Sequence, residues 1–294
     1  MRVPIQSGQF ASLSNGMRLH YASAGQQGKP LLLFVHGFPE FWYEWEAQLA
    51  EFGNDHYAVA LDLRGFNLSD MPAGVADYKV RHIIEDLRLL AAHLGYEKFT
   101  MVAHDWGGAV AWSFALALPQ LLHKLIIINA PHPWLFAQAL AHDAQQQQAS
   151  AYMNWLREEG AEVALAKDDF ALLEGLFKDS TGWLNDEVRA LYHACWSRGL
   201  HGGLNFYRAS PLHPPLPGQP GPAALNLKPE DLCVKVPTRL IWGERDIALP
   251  KSLLDGIEAV VDDIVIERIP EGTHWVIHEQ PARINALIRR FLHD

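Results

Sequence analysis

The run Phe99-Thr100-Met101-Val102-Ala103-His104-Asp105-Trp106-Gly107-Gly108 decides how this chain is read. Its first half, Phe99–Ala103, is a short, mostly apolar run, as expected for a strand covered on both faces. A helical pattern, Gly107–Ala117, follows at once. Small residues at Ala103 and Gly107 flank a tight strand-to-helix turn, which lifts the side chain of Asp105 above the sheet. This is the small-x-nucleophile-x-small pattern of a nucleophile elbow, with Asp in the reactive place. The backbone N–H of Trp106 then falls at a helix start, ready to donate to an oxyanion. An Asp before a helix also fits a plain N-cap, so the neighbouring segments must decide.

Similar apolar runs occur at Pro30–Val35, Tyr57–Leu61, Lys124–Asn129, Thr238–Trp242 and Ile264–Ile269. Phe10–Leu13 and Met17–Ala22 flank Ser14-Asn15-Gly16 and predict an opening antiparallel hairpin. Helix-length segments, among them Val80–Leu94 and Pro281–Leu292, lie between the later runs. This alternation predicts an α/β protein with a doubly wound, mostly parallel sheet and reactive residues at the carboxyl ends of its strands. Two strands before the elbow, Leu31–Val35 runs into His36-Gly37-Phe38-Pro39-Glu40, so the N–H of Phe38 is the second oxyanion donor. Thr238–Trp242 leads to Glu244 and Asp246, and Asp246 is preferred because it lies further into the loop. Ile264–Ile269 leads to His274. The order Asp105, Asp246, His274 is that of nucleophile, acid and histidine in such a sheet. His36 and His104 read as turn or support residues.

The alternation stops from Pro131 to Leu232, where Ala, Leu, Trp and Tyr recur at helical spacing. The chain therefore divides into a core of residues 1–130 and 233–294 and a helical cap of residues 131–232, inserted after the sixth strand. The cap's Pro- and Gly-rich tail, Ser210 to Pro222, reads as extended loop.

Composition bounds the function. Of 294 residues, 24 are Lys or Arg and 34 are Asp or Glu, a net charge of −10. Without a basic run to neutralise phosphates, nucleic acid is not an expected partner. Cys195 and Cys233 make neither a disulfide framework nor a metal pair, and no cofactor or metal is expected. Met1 to Gln6 lack the apolar core of a secretory signal, and no 18-residue apolar stretch exists, so the expectation is a cytoplasmic protein off the membrane.

Five segments now carry a family resemblance: His36-Gly37-Phe38-Pro39-Glu40, Asp62-Leu63-Arg64-Gly65-Phe66, His104 to Gly108, Asn129-Ala130-Pro131-His132-Pro133 and Gly272-Thr273-His274-Trp275. Over nearly its whole length the chain resembles the α/β-hydrolase superfamily, and within it the epoxide hydrolases. The resemblance implies the α/β-hydrolase fold, an alkyl ester formed on Asp105, and water activated by His274 with Asp246 behind it. It also implies two cap tyrosines that donate to the opening ring. Tyr207, in Asn205-Phe206-Tyr207-Arg208, is similar to the second, and Tyr152 falls at the spacing of the first. The expected cavity is apolar, walled by Phe38, Trp106, Trp155, Phe206 and Trp275, and suited to a small lipophilic epoxide and water. Homo-oligomerisation stays open.

Two other readings stand beside this one. Haloalkane and haloacetate dehalogenases share most of these segments, since a carboxylate also displaces halide at an sp³ carbon. However, the arginines that would hold a haloacetate carboxylate are replaced by Trp106 and Ala109, and the Asn of one haloalkane pattern is Phe38. A halide site would need Trp106 with Trp155, Trp183 or Trp196. A non-catalytic ligand-binding protein on this fold is disfavoured because Asp105, Asp246 and His274 are all chemically competent.

Overall fold

Strands apolar on both sides need helices on both faces of the sheet, and the computed structural model has them. It describes residues 3–178, 180, 182–219 and 221–294. Met1 and Arg2 of the amino-terminal run and Pro220 of the Pro-rich stretch lie outside the described residues.

The hairpin is β1 (Gln6–Ser12) and β2 (Arg18–Ala24). It turns through Gly16, whose φ of 87° suits a glycine. Next come β3 (Leu31–Val35), α1 (Glu46–Phe52), β4 (Tyr57–Leu61) and α2 (Val80–His93). The elbow joins β5 (Phe99–His104) to α3 (Asp105–Ala117), and β6 (Leu122–Ile128) follows. Helical bonding starts two residues earlier than the sequence pattern predicts, because Asp105 itself makes the turn. The strands form one sheet in the order β1-β2-β4-β3-β5-β6-β7-β8, with β7 at Thr238–Gly243 and β8 at Ile264–Ile269. Among the described residues only β1–β2 and β2–β4 pair antiparallel. The architecture is the expected doubly wound α/β sheet.

Side-chain alternation assigns the two faces. Leu31, Leu33 and Val35 of β3 pack in the core shared with Leu87 and Leu90 of α2 and Phe114 of α3. Leu32 and Phe34 pack on the opposite face, with Leu49 and Phe52 of α1. Ile284, Ile288 and Phe291 of the last helix (Pro281–His293) join them at i, i+4, i+7 spacing.

Between β6 and β7 the described residues hold six helices and no strand of the sheet. These are α4 (Pro133–His142), α5 (Ala144–Ala149), α6 (Ala151–Leu156), α7 (Ala161–Gly175), α8 (Asp186–Trp196) and α9 (His201–Ala209). Within α7 the backbone leaves the helix at Lys167–Phe170, where Asp168, Asp169 and Phe170 have positive φ. The described residues from Ser210 to Gly221 are irregular, and a short 3₁₀ turn follows at Pro222–Leu225.

Candidate active site

The loops after β3, β5, β6, β7 and β8 converge, as they must where parallel strands end together. Asp105 sits at φ 49°, the left-handed conformation of a sharp turn. The turn leaves no room beside it. A Cβ on Gly107 would lie 2.2 Å from the carbonyl oxygen of Val35, and one on Gly37 would lie 2.2 Å from Oδ1 of Asp105.

The two oxygens of Asp105 are held differently. The N–H of Phe38 donates to Oδ1 at 2.7 Å, while Oδ2 lies 3.5 Å from Nε2 of His274. The Trp106 N–H lies in the first turn of α3, where N–H groups have no intrahelical acceptor. On its other side His274 donates from Nδ1 to Oδ2 of Asp246 at 2.6 Å. Asp246 is itself anchored, because Oδ1 accepts the N–H groups of Ala248 and Leu249, both at 2.9 Å. Glu244, the rival acid, faces outward and pairs with Arg268 at 2.9 Å. Asn129, at the end of β6, donates to Oδ2 of Asp246 at 2.8 Å and accepts the Gly243 N–H at 2.8 Å. No role was expected for Asn129, although its position at a carboxyl strand end in Asn129-Ala130-Pro131-His132-Pro133 is a usable signal.

Electrostatics make an ion pair of this arrangement. Burial alone would raise the Asp105 carboxyl, but the bond and charge of His274, helped by the Phe38 N–H, bring it below its ordinary value. For His274, burial opposes protonation, yet Asp246 and Asp105 together push its pKa well above the ordinary value.

Behind this pair His104 is fully buried, and burial plus the charge of His274 lower its pKa to about 3. It is therefore neutral. Nε2 faces the carbonyl oxygen of His274 at 3.0 Å and must carry the ring proton, so Nδ1 is an acceptor. Its partner is Oε1 of Glu44 at 2.5 Å, which must then be a carboxylic acid donating the proton. Burial first, then the charge of Glu40, push the Glu44 pKa well up, in agreement. The sequence carried no signal for Glu44. His36 is also neutral, its pKa lowered by burial. It donates to the Gly37 carbonyl at 2.8 Å and accepts the Leu63 N–H at 3.0 Å, supporting the oxyanion turn.

A cavity of about 620 Å³ opens above Asp105, with Trp106, Tyr152, Phe206 and Tyr207 in its wall. Tyr207 is buried, its ring edge-to-face on Trp106 at 5.0 Å and on Phe38 at 5.5 Å. Tyr152 stands 6.2 Å from it, ring centre to ring centre. Tyr207 is buried and Tyr152 is 39% exposed, but desolvation at the cavity wall, together with the negative charge of Asp105, raises the pKa of both phenols, so both are protonated donors.

Three expected wall residues lie elsewhere. Phe38 does not line this cavity; its ring packs behind Tyr207 and on Phe66. Trp275 bonds through its indole N–H to the Leu176 carbonyl at 2.8 Å and packs on Phe177. Trp155 is outside the wall, because α6 presents Tyr152 and Met153 to the cavity instead. Instead Phe136, Leu212, Leu225, Leu227 and Leu249 make much of the apolar lining. The remaining candidate halide donors are occupied, Trp183 by the Ser180 hydroxyl at 3.1 Å and Trp196 by the Pro39 carbonyl at 2.8 Å. Among the described residues no helix is long and apolar enough to cross a membrane. Nor do three or more His, Cys, Asp or Glu side chains cluster as metal ligands there.

A doubly wound sheet with an acidic elbow, a strand-end acid and a late histidine defines the class of α/β hydrolases, and the model of the α/β hydrolase fold family matches residues 30–281. Mouse "Epoxide hydrolase 4" is 37% identical over 291 residues, covering 95% of this chain and 77% of that protein. "AB hydrolase superfamily protein YfhM" of Bacillus subtilis (strain 168) is 35% identical, with 97% of each chain covered. A mutant epoxide hydrolase of Bacillus megaterium, complexed with its product (R)-3-[1]naphthyloxy-propane-1,2-diol, superposes with a TM-score of 0.87. It is 35% identical, covering 97% of this chain and 100% of that one. The chain belongs to the α/β-hydrolase family, in its epoxide hydrolase group.

Proposed function

We propose that this protein hydrolyses a lipophilic epoxide to a vicinal diol, with Asp105 as nucleophile. The observation that carries this reading is that one apolar cavity borders both the Asp105 carboxylate and two protonated phenols. Oδ2 faces His274 and is free of the Phe38 N–H, so it attacks a ring carbon. The ring C–O bond breaks, and its electron pair goes to the oxygen, which takes a proton from Tyr207 or Tyr152. Asp105 is then an uncharged ester. With one of its two supporting charges gone, His274 gives up its proton, which restores the phenol, and becomes a base. It takes a proton from water, and the hydroxide adds to Cγ. Charge develops on Oδ1, where the N–H groups of Phe38 and Trp106 stabilise it. Collapse expels the diol oxygen, which takes that proton from His274, and leaves Asp105 as a carboxylic acid whose proton passes to Nε2 of His274, restoring the ion pair.

Displacement of halide is the weaker reading, because Trp183 and Trp196 spend their indole N–H groups on other acceptors. The test is product analysis with styrene oxide, an aliphatic epoxide, a naphthyl glycidyl ether, 1-bromobutane, fluoroacetate and a p-nitrophenyl ester. The aryl ether is included because the Bacillus megaterium enzyme holds a naphthyloxy diol. Diol from the epoxides is expected. Halide release without diol would overturn the reading. In this proposal residues 131–232 act as the cap that closes the cavity, and the protein works in the cytoplasm; cell fractionation tests the second point.

A further inference from the structure

The helices that carry the two phenols are joined by a reciprocal pair of arginines at their carboxyl ends. Arg157, directly after α6, donates through Nη1 to the carbonyl of Tyr207 and to those of Arg208 and Ser210, the last two at 3.4 and 3.0 Å. Arg208, near the end of α9, donates back to the carbonyls of Arg157 at 3.4 Å and Glu158 at 2.9 Å. The final carbonyls of a helix have no intrahelical partner and form the negative end of its dipole, so a guanidinium placed there is both donor and counter-charge. Arg208 also pairs with Glu162 at 2.5 Å. Arg157 has no carboxylate within ion-pair distance among the described residues. Its charge is spent on backbone carbonyls, one of them that of Tyr207 itself.

Neither arginine touches the cavity, yet between them they hold the relative position of α6 and α9. Asn154 adds a third tie by donating to the Pro214 carbonyl at 3.2 Å, which draws the Pro-rich stretch onto α6. A guanidinium is needed for this work because its planar fork serves several acceptors, whereas an ammonium is a point charge. We infer that Arg157 is a positioning residue for epoxide opening: by clamping the end of α9 onto α6 it keeps the hydroxyls of Tyr207 and Tyr152 converged on one oxygen. The inference rests on the proposed role of the two tyrosines.

A double-mutant cycle between Arg157 and Tyr207 tests it, with kcat and KM for styrene oxide measured alongside thermal melting. Arg157→Met is expected to lower kcat about tenfold with little change in KM, because ring-oxygen donation strengthens in the transition state. In a Tyr207→Phe background the same change should cost less than about twofold, since there is no hydroxyl left to position. Arg157→Lys should recover part of the loss. Equal losses in both backgrounds would overturn the inference and make Arg157 merely structural. So would a full-rate Arg157→Met protein. If Arg157→Met does not fold, the same cycle is run with Arg157→Lys. A normal rate for Tyr207→Phe alone would instead overturn the tyrosine reading, and the inference with it.

Discussion

Nε2 of His274 lies 3.5 Å from Oδ2 of Asp105, while its Nδ1 is bound to Asp246 at 2.6 Å. The imidazole is thus fixed from behind and only loosely paired in front. A ring held this way can stay in place while Asp105 changes from carboxylate to ester, which the proposed two-step chemistry requires.

Asp105→Asn and Asp105→Ala should both abolish turnover but differ in stability. Asn tolerates the φ of 49° and keeps an oxygen for the Phe38 N–H. Ala does neither and should cost about 1–3 kcal/mol more. Thermal melts beside diol assays check this; retained hydrolysis in a folded Ala variant would remove the mechanism.

His274→Gln should open the epoxide and stall at the ester. Intact-mass spectrometry after incubation with styrene oxide should show the added mass of one substrate. Steady turnover without an adduct would sink the role given to His274.

Stability should carry a signature of the same residue. The folded-state pKa of His274 lies well above its ordinary value near 6.5, so the folded protein binds the extra proton. That contribution is complete below about pH 6.5 and is lost as pH rises through the folded value. The melting-temperature advantage of wild type over His274→Gln should therefore shrink from pH 6 to pH 10. An advantage that grows over this range would contradict the assignment.

Glu44→Gln and Glu44→Leu separate an acid from a carboxylate at His104. If Glu44 donates a proton to Nδ1, the Gln amide replaces that donor and the variant should be at least as stable as wild type at pH 7. Leu leaves the buried Nδ1 unpaired and should cost about 1–3 kcal/mol. Denaturant titration gives both values, and a Gln variant as weak as Leu would argue for an ionised Glu44.

Tyr207→Phe should lower kcat for epoxides by about 10- to 1,000-fold while KM changes little. The double variant with Tyr152→Phe should be nearly inactive. Steady-state kinetics with styrene oxide decide this; a KM effect alone would mean that the hydroxyl only binds substrate.

The sequence by itself determined the strands, the elbow and the order of the triad, because those signals are local. A strand buried on both faces shows as a continuous apolar run, and a reactive loop follows its carboxyl end. Asp105 and His274 could therefore be picked out with no knowledge of contacts, and Asp246 chosen over Glu244 by its depth in the loop. Which way a cap side chain faces is not local. Tyr152 and Trp155 are three residues apart on a helix of six and are exposed to a similar degree, and only the packing of that helix against α9 puts the tyrosine, and not the tryptophan, in the cavity wall. Trp275 follows the catalytic histidine directly, yet its indole is claimed by a carbonyl 99 positions earlier in the chain. Glu44 is 60 residues from His104 and Arg157 is 50 from Tyr207, so no spacing rule links either pair. The tertiary structure decided them, because a polar group taken out of water must find hydrogen-bond partners, and here those partners come from distant segments.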